Sequence, residues 1–226
     1  ARVRQAIACA VDRQEVVDSA ALGEGEVTGP MTLPAYESEP TAGLPCDPPD
    51  PEAAKRLLRQ AGEADGFSLD TIVMTKGYAT SVDEAQSLKA QLSKIGVDLE
   101  LELLENSVYI DRWLGTKFDA AVALNGGISD PHLMYARYFT SEGSLNSVAA
   151  YSSPRTEELI SQGMAQTELE ARQQTYGQLS AELVESAPWV WLFTGYEYRV
   201  TQGNVEGFKA PTGSGLQYLD QTKLTG

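Results

Sequence analysis

Val97-Asp98-Leu99-Glu100-Leu101-Glu102-Leu103 alternates apolar and acidic side chains without a break. A two-residue period sends alternate side chains to opposite faces, so the stretch reads as a half-buried β-strand. Upstream, Ser81-Val82-Asp83-Glu84 has the spacing of a capping box. Ala85, Leu88, Leu92 and Ile95 follow at helical spacing up to Gly96. Before that helix, Leu69 to Thr75 reads as another strand. Downstream, Ser107 is expected to cap a short helix through Tyr109, Ile110, Trp113 and Leu114, ending at Gly115. Phe118 to Leu124 then reads as an apolar strand. This β-α-β-α-β order predicts an α/β domain, a largely parallel or mixed β-sheet flanked by helices.

The flanks are mostly helical. Val3, Ala6, Ile7, Ala10 and Val11 share one helical face. Asp12 can cap a second helix from Arg13 to about Leu22, with Gly23 ending it. A chain that opens inside a helix with no start signal is expected to be part of a longer protein. Residues 23–50 form a long Gly-, Pro-, Glu- and Thr-rich loop in which Met31, Leu33 and Tyr36 are apolar enough to pack. Loops of this length are commonly functional or disordered. Near the C-terminus, helices are predicted from about Pro154 to Gln166 and from Glu168 to Ser186. Pro188 to Phe193 and Tyr196 to Thr201 read as strands.

Seventeen basic and 32 acidic residues give a formal net charge of −15. This balance argues against nucleic acid, whose binding rests on Lys and Arg contacts to phosphate, and against an anionic membrane surface. No window approaches the ~18 apolar residues of a membrane helix, so no direct membrane insertion is expected. Catalytic signatures are missing. His132 is the one histidine, no G-x-S-x-G elbow supplies a serine, and no metal-ligand spacing or phosphate loop occurs. Glu157 and Glu158 occupy successive helical positions and do not face each other. No catalytic residue, cofactor or metal site is therefore assigned. Cys9 and Cys46 lack C-x-x-C spacing. A disulfide and two free thiols both remain open on the residues alone.

Four segments, in order, carry a family resemblance. Val3 to Gly23 resembles the "VRQAI-x-x-A-V-D-R" signature of the extracellular solute-binding proteins of peptide and nickel ABC transporters, family 5. Asp50 to Gly62 resembles that family's "DPEKAKxLLxEAG" helix. Phe118-Asp119-Ala120-Ala121 through Asp130-Pro131 is similar to its "FDxxLxGW…DP" segment. Glu170-Ala171-Arg172 through Ala187-Pro188 is similar to its "xxxR…Y…L…I…xxAP" helix and strand. The resemblance implies a periplasmic-binding-protein-like (type II) fold. Residues 1–226 would be a single C-terminal lobe of a two-lobe receptor, the other lobe lying outside this sequence.

The implied function is to capture a small polar solute, peptide-like or an oligosaccharide, between two lobes and deliver it to a permease. The implied partners are that solute, the N-terminal lobe of the same protein and the ABC permease subunits. The implied location is extracellular or periplasmic, lipid-anchored at the cell surface in the full-length protein. An extracellular setting favours the Cys9–Cys46 bridge. The alternatives are a protein-interaction or regulatory module and, further off, a hydrolase using His132.

Candidate ligand contacts follow from where the lobes would meet. In α/β sheets ligands gather beyond the carboxyl ends of strands, which singles out Asn125, Gly126, Gly127, Ser129 and Asp130. Asp130 equally suits an N-cap role ahead of Pro131. Arg137 can hold a carboxylate through its guanidinium. The polar stretch beyond it adds Asn146 and Tyr151. Tyr36 lies on the long loop, and Phe193 and Tyr196 near the end of an aromatic run. One departure from the family matters. Peptide-binding relatives carry a Trp after the Phe-Asp strand, and often an extra Asp that anchors the peptide's amino terminus. Here Asn125-Gly126-Gly127-Ile128-Ser129 replaces that pattern, which places a free peptide ligand in question.

Overall fold

The computed structural model describes residues 1–33, 35–36, 44–125, 130–196, 198–209 and 219–225. Helices α1 (Arg2–Ala10) and α2 (Arg13–Ala20) lead to a short strand, β1 (Gly25–Val27). Next come α3 (Pro51–Ala61), β2 (Phe67–Met74), α4 (Ser81–Ser93), β3 (Val97–Leu104), α5 (Asn106–Leu114) and β4 (Ala120–Val122). Helices α6 (Pro131–Phe139), α7 (Asn146–Ala149), α8 (Pro154–Ala165) and α9 (Leu169–Ser186) follow. Strands β5 (Phe193–Gly195), β6 (Val205–Glu206) and β7 (Lys223–Leu224) complete the order.

The central sheet has order β3-β2-β4, parallel throughout. Its register pairs Phe67 with Val97, Leu69 with Leu99 and Thr71 with Leu101. The odd-numbered residues of β3 face the layer of α1–α4, where Val97 and Leu99 join Ala6, Cys9, Val16, Leu58, Leu92 and Ile95. Leu104 of the other face packs with Ile72 and Tyr109. Asp98, Glu100 and Glu102 stay exposed, and Arg112 of α5 grips Glu102 with two hydrogen bonds of 3.1 and 2.9 Å. The alternation read from the sequence is thus the burial pattern of Val97 to Glu102, and it ends at Leu103, which is exposed, and Leu104, which is buried on the opposite face. A second core joins α6, α8 and α9 through Tyr135, Tyr138, Phe139, Leu159, Ile160, Tyr176, Leu179 and Leu183.

Local chemistry sets the helix ends. Asp12, Asp50, Asp130 and Ser153 each accept a backbone N–H of the first turn, and proline follows three of them. Such caps satisfy donors that the helix leaves unpaired. At the other end of α9, side chains of α1 cover the free carbonyls. Arg4 donates to Ala187 O at 2.8 Å and Ser186 O at 3.3 Å, and Gln5 donates to Glu185 O at 2.6 Å. Arg13 is buried and donates to Trp191 O, Ala8 O and Val11 O. Desolvation lowers its pKa, partly offset by Asp47 and Asp12. Cys9 and Cys46 are joined, with Cα atoms 4.8 Å apart, which fastens residues 44–50 to α1.

Four expectations need correction. Ser107 does not cap α5: Glu105 holds the cap position and Ser107 lies inside the helix. Gly25–Val27, within the stretch read as loop, pairs as β1 with β5. The capping box at Ser81–Glu84 does not form. The cap position is Thr80, and Ser81 lies inside the helix, buried, its hydroxyl donating to the carbonyls of Met74 and Tyr78. Glu84 turns instead to the hydroxyls of Tyr78 and Thr80. Among the described residues, the aromatic run from 188 to 201 does not form two strands, and of these only Phe193–Gly195 pairs, antiparallel to β1. Val190 and Leu192 join the core beneath α1 and α3, while Trp189 and Trp191 join that of α6–α9. The segment therefore packs by its side chains and has no ladder partner there.

Candidate functional site

The carboxyl ends of the three parallel strands meet at one edge of the sheet. Thr75, just past β2, donates its backbone N–H and its hydroxyl to Leu104 O, both at 2.9 Å, and so ties β2 to β3. β4 ends at Val122, and Asn125 follows three residues on. Gly126, Gly127 and Ser129 lie outside the described residues. The chain is described again at Asp130, whose carboxylate accepts the His132 N–H at 2.8 Å and caps α6.

Asp130 is also bound to Arg172 of α9, whose Nη2 lies 3.0 and 2.8 Å from its two oxygens. The same guanidinium donates through Nε to Gly163 O at the end of α8, 3.1 Å away. It sits 5.4 Å from the ring centroids of both Tyr36 and Tyr176. Tyr36 meets Tyr176 edge-on, with centroids 5.4 Å apart. Hydrogen bonds to Tyr176 and Asp130 raise the Arg172 pKa above its usual value, so the group is a fixed cation. Arg172 thus fastens the N-terminus of α6, the end of α8 and the long loop to α9. Both Asp130 and Tyr36 are held by this internal network.

Arg137, in the last turn of α6, reaches back towards β4. Its Nη2 donates to Asn125 Oδ1 at 3.3 Å, and its guanidinium lies 4.8 Å from the Tyr138 ring centroid. Arg137 Nε and Asn125 Nδ2 have no hydrogen-bond partner among the described residues. Asn146 is a brace: its Nδ2 donates to Tyr138 O at 3.0 Å and Tyr151 O at 2.7 Å. The Tyr151 hydroxyl pairs with Thr156 Oγ1 at 3.2 Å, and its ring meets Phe139 edge-on. Phe193 packs on the α1–α3 core from β5, close to Gly25. Tyr196 lies beyond that strand, half-exposed, its N–H donating to Glu24 O.

The structure therefore brings Asn125 and Arg137 together at the sheet edge. Asn146, Tyr151 and Asp130 support the surrounding framework, and Phe193 and Tyr196 sit on the β1–β5 ribbon. The sequence reading missed the aromatic wall beside Arg137. Tyr138 contacts Trp189 and Trp113, with ring centroids 4.8 and 6.5 Å apart. The adjacency of Tyr138 to Arg137 and of Trp113 to the end of α5 was the available signal. Among the described residues, no group of three or more His, Cys, Asp or Glu side chains is placed to hold a metal. No hydrogen bond links the His132 ring to a nucleophile among those residues.

Residues 1–146 match the bacterial extracellular solute-binding proteins, family 5 Middle, and the chain belongs to that family. Heme-binding protein A of Haemophilus influenzae is 27% identical over 197 residues, which covers 84% of this chain and 35% of that protein. The oligopeptide-binding protein AppA of Bacillus subtilis is 24% identical over 224 residues, 92% of this chain and 41% of that protein. The fold is that of periplasmic binding proteins. The dipeptide-binding protein of Pseudoalteromonas sp. SM9913, solved with Met-Leu, superposes with a TM-score of 0.82 at 22% identity. That match covers 99% of this chain and 45% of the other. The chain thus spans less than half the length of these relatives, whose names cover three different ligands.

Proposed function

We propose that residues 1–226 form the C-terminal lobe of a two-lobe solute-binding protein that captures a small polar solute for an ABC importer. One observation carries this reading. No described residue after Ala187 is buried, yet β6 and β7 pair in register, Val205 with Leu224 and Glu206 with Lys223. Tyr198, Val200 and Leu224 are 66, 94 and 76% exposed. A C-terminal segment that exposes Tyr198, Val200 and Leu224 and has no buried residue among those described suits a second body packed against it. The lengths of the relatives leave room for such a body.

In this reading the cleft lies at the carboxyl edge of β2-β3-β4, where open α/β sheets bind ligands. Asn125, Gly126, Gly127, Ser129 and Arg137 are the contacts from this lobe. Tyr36, Asp130, Asn146 and Tyr151 hold the edge in place. Phe193 and Tyr196 lie on the ribbon that leads to the other lobe, and hinge closure brings the lobes together. The protein is a receptor and not an enzyme, in keeping with relatives named for binding. It works outside the cytoplasmic membrane, lipid-anchored in its full-length form and engaging permease subunits. Among the described residues no helix is long and apolar enough to cross a membrane.

The test is a thermal-shift panel on the full-length protein with peptides, oligosaccharides and metal chelates. A ligand at 100 times its Kd adds about 2.7 kcal/mol of stability. A clear shift with one class supports the receptor reading. No shift with any class, in a folded protein, removes it and favours a protein-interaction module.

A further inference from the structure

The loop between β2 and α4 lies at the carboxyl edge of the sheet, and one buried acid holds it. Thr75, Lys76, Gly77 and Ala79 are exposed. Tyr78 and Thr80 turn inward, and both hydroxyls end on Glu84 of α4, which is 1% exposed. Tyr78 lies 2.6 Å from each carboxyl oxygen, and Thr80 lies 2.6 Å from Oε1. Among the described residues, the side chains of 76–80 make one other bond, the surface pair of Lys76 with Glu105 at 3.1 Å. Such exposed pairs contribute little. No cation answers Glu84. On its own helix, Asp83 is exposed and Lys89 is held by Asp98 at 2.9 Å. Val73, Leu101 and Val122 of the three strands meet α4 here and bring no charge. Asp12 meets α4 further along, at Gln91, and Arg13 is spent on backbone carbonyls. From α5, Tyr109 lies close to Tyr78 and donates its hydroxyl to Val122 O at 2.8 Å, at the end of β4.

The two protonation states of Glu84 are therefore unequal. A neutral carboxyl donates its O–H to one hydroxyl oxygen and accepts from the other hydroxyl, so the three groups satisfy one another. A carboxylate has two hydroxyl donors and no counter-charge in a shielded place, which is costly. Swinging the loop outward brings it water. We propose that Glu84, Tyr78 and Thr80 form a proton-dependent latch on the 75–80 loop, closed with the carboxyl neutral and released as Glu84 ionises. Burial raises the carboxyl above its ordinary value of 4.5, against the bonds from Thr80 and Tyr78, in keeping with that direction. Opening returns the group towards its ordinary value. The opening constant is then flat below about pH 4.5 and rises up to about tenfold per pH unit from there to the closed-loop value. Resting on the receptor reading above, in which this edge faces the solute, the latch makes capture strongest in acid surroundings. A receptor outside the cytoplasmic membrane meets the pH of those surroundings directly.

The experiment is NMR of the 226-residue chain from about pH 4 to pH 8, a range that brackets an ordinary and a raised carboxyl. It follows the Glu84 carboxyl carbon and the hydrogen exchange of the Ser81 N–H, which bonds to Tyr78 O across the loop. Divided by its intrinsic rate, Ser81 exchange should rise about tenfold or more with pH and level off where the Glu84 carbon titrates. The Val73 N–H, in the strand paired on both sides, should stay slower than Ser81 throughout. Glu84→Gln keeps a neutral group of the same shape and should make Ser81 exchange flat with pH. A corrected Ser81 rate that ignores pH overturns the latch, as does a rise that persists in Glu84→Gln. If Glu84→Gln does not fold, the unmodified chain decides: a rise that does not level off with the Glu84 titration, or equal rates at Ser81 and Val73, overturns it. The latch and the receptor fail separately. A loop that follows Glu84, with no solute found for the full-length protein, leaves the latch and removes the receptor. A bound solute with a pH-flat loop does the reverse.

Discussion

Two helix-interior glycines should respond to alanine with opposite signs. An alanine normally stabilises such a position by about 1 kcal/mol over glycine, through helix propensity. Gly177 of α9 has nothing within 4 Å of an added Cβ, so Gly177→Ala should stabilise by about that amount. At Gly163 of α8, an added Cβ would lie 2.5 Å from Tyr176 Cζ and 2.8 Å from its Cε1 and hydroxyl. Tyr176 is fully buried, edge-on to Tyr36 and within 3.4 Å of Arg172 Nη2, so it has little room to retreat. Overpacking of this kind costs about 1–3 kcal/mol and outweighs the propensity gain, for a net loss of roughly 0–2 kcal/mol. Urea unfolding of both variants measures the two effects directly. A Tyr176→Leu background should restore the usual gain from Gly163→Ala, giving a coupling of about 1–3 kcal/mol. Equal stabilisation by both alanines in the unmodified background would refute the packing at Tyr176, and with it the geometry that holds Arg172 on Asp130.

Other expectations are independent of that contact. Removing Arg172 as Arg172→Gln strands the part-buried Asp130 carboxylate and should cost about 3 kcal/mol, measured by thermal unfolding, with Arg172→Lys recovering part. Burial pushes the Glu84 carboxyl above its ordinary value of 4.5, against the opposing hydrogen bonds from Thr80 and Tyr78. The folded state therefore binds that proton more tightly than the unfolded state. Its contribution to stability is full below about pH 4.5 and is lost as pH rises through the folded value. Glu84→Gln should flatten this decline in a urea-midpoint profile, and an unchanged slope would contradict the burial. Opening the Cys9–Cys46 bridge releases a sequence separation of 37 residues. It should cost roughly 3–4 kcal/mol in reducing buffer, while the Cys9→Ala/Cys46→Ala variant should be indifferent to reductant.

What the sequence could tell depended on how local each signal was. The strand at Val97–Leu104 and the helices at Pro154–Ala165 and Leu169–Ser186 carry their signals within a few residues and formed close to the predicted bounds, while the helix at Pro51–Ala61 was expected from the family resemblance. The run from Pro188 to Thr201 is rich in strand-forming aromatics, but a strand needs a partner, and among its described residues only Phe193–Gly195 finds one in β1. Ser81 looked like a cap because the box pattern is local. Its real partner, Met74 O, lies seven residues back at the end of β2. The site suffered in the same way. Asn146 and Tyr151 are polar residues on an irregular stretch, and their spacing hid that Asn146 holds Tyr138 and Tyr151 together. The pairing of Asn125 with Arg137 across 12 residues depends on how α6 folds back on β4.

The central claim is that this chain supplies half of a closing clamp, and calorimetric titration of one solute into two proteins tests it most directly. Ligand sites typically bury about 70–90% of the ligand surface, which one lobe cannot do alone. The full-length protein should bind a solute from the panel, and the 226-residue chain should bind the same solute at least about a hundredfold more weakly, a loss of about 2.7 kcal/mol. Sub-micromolar binding by the 226-residue chain alone would contradict the account.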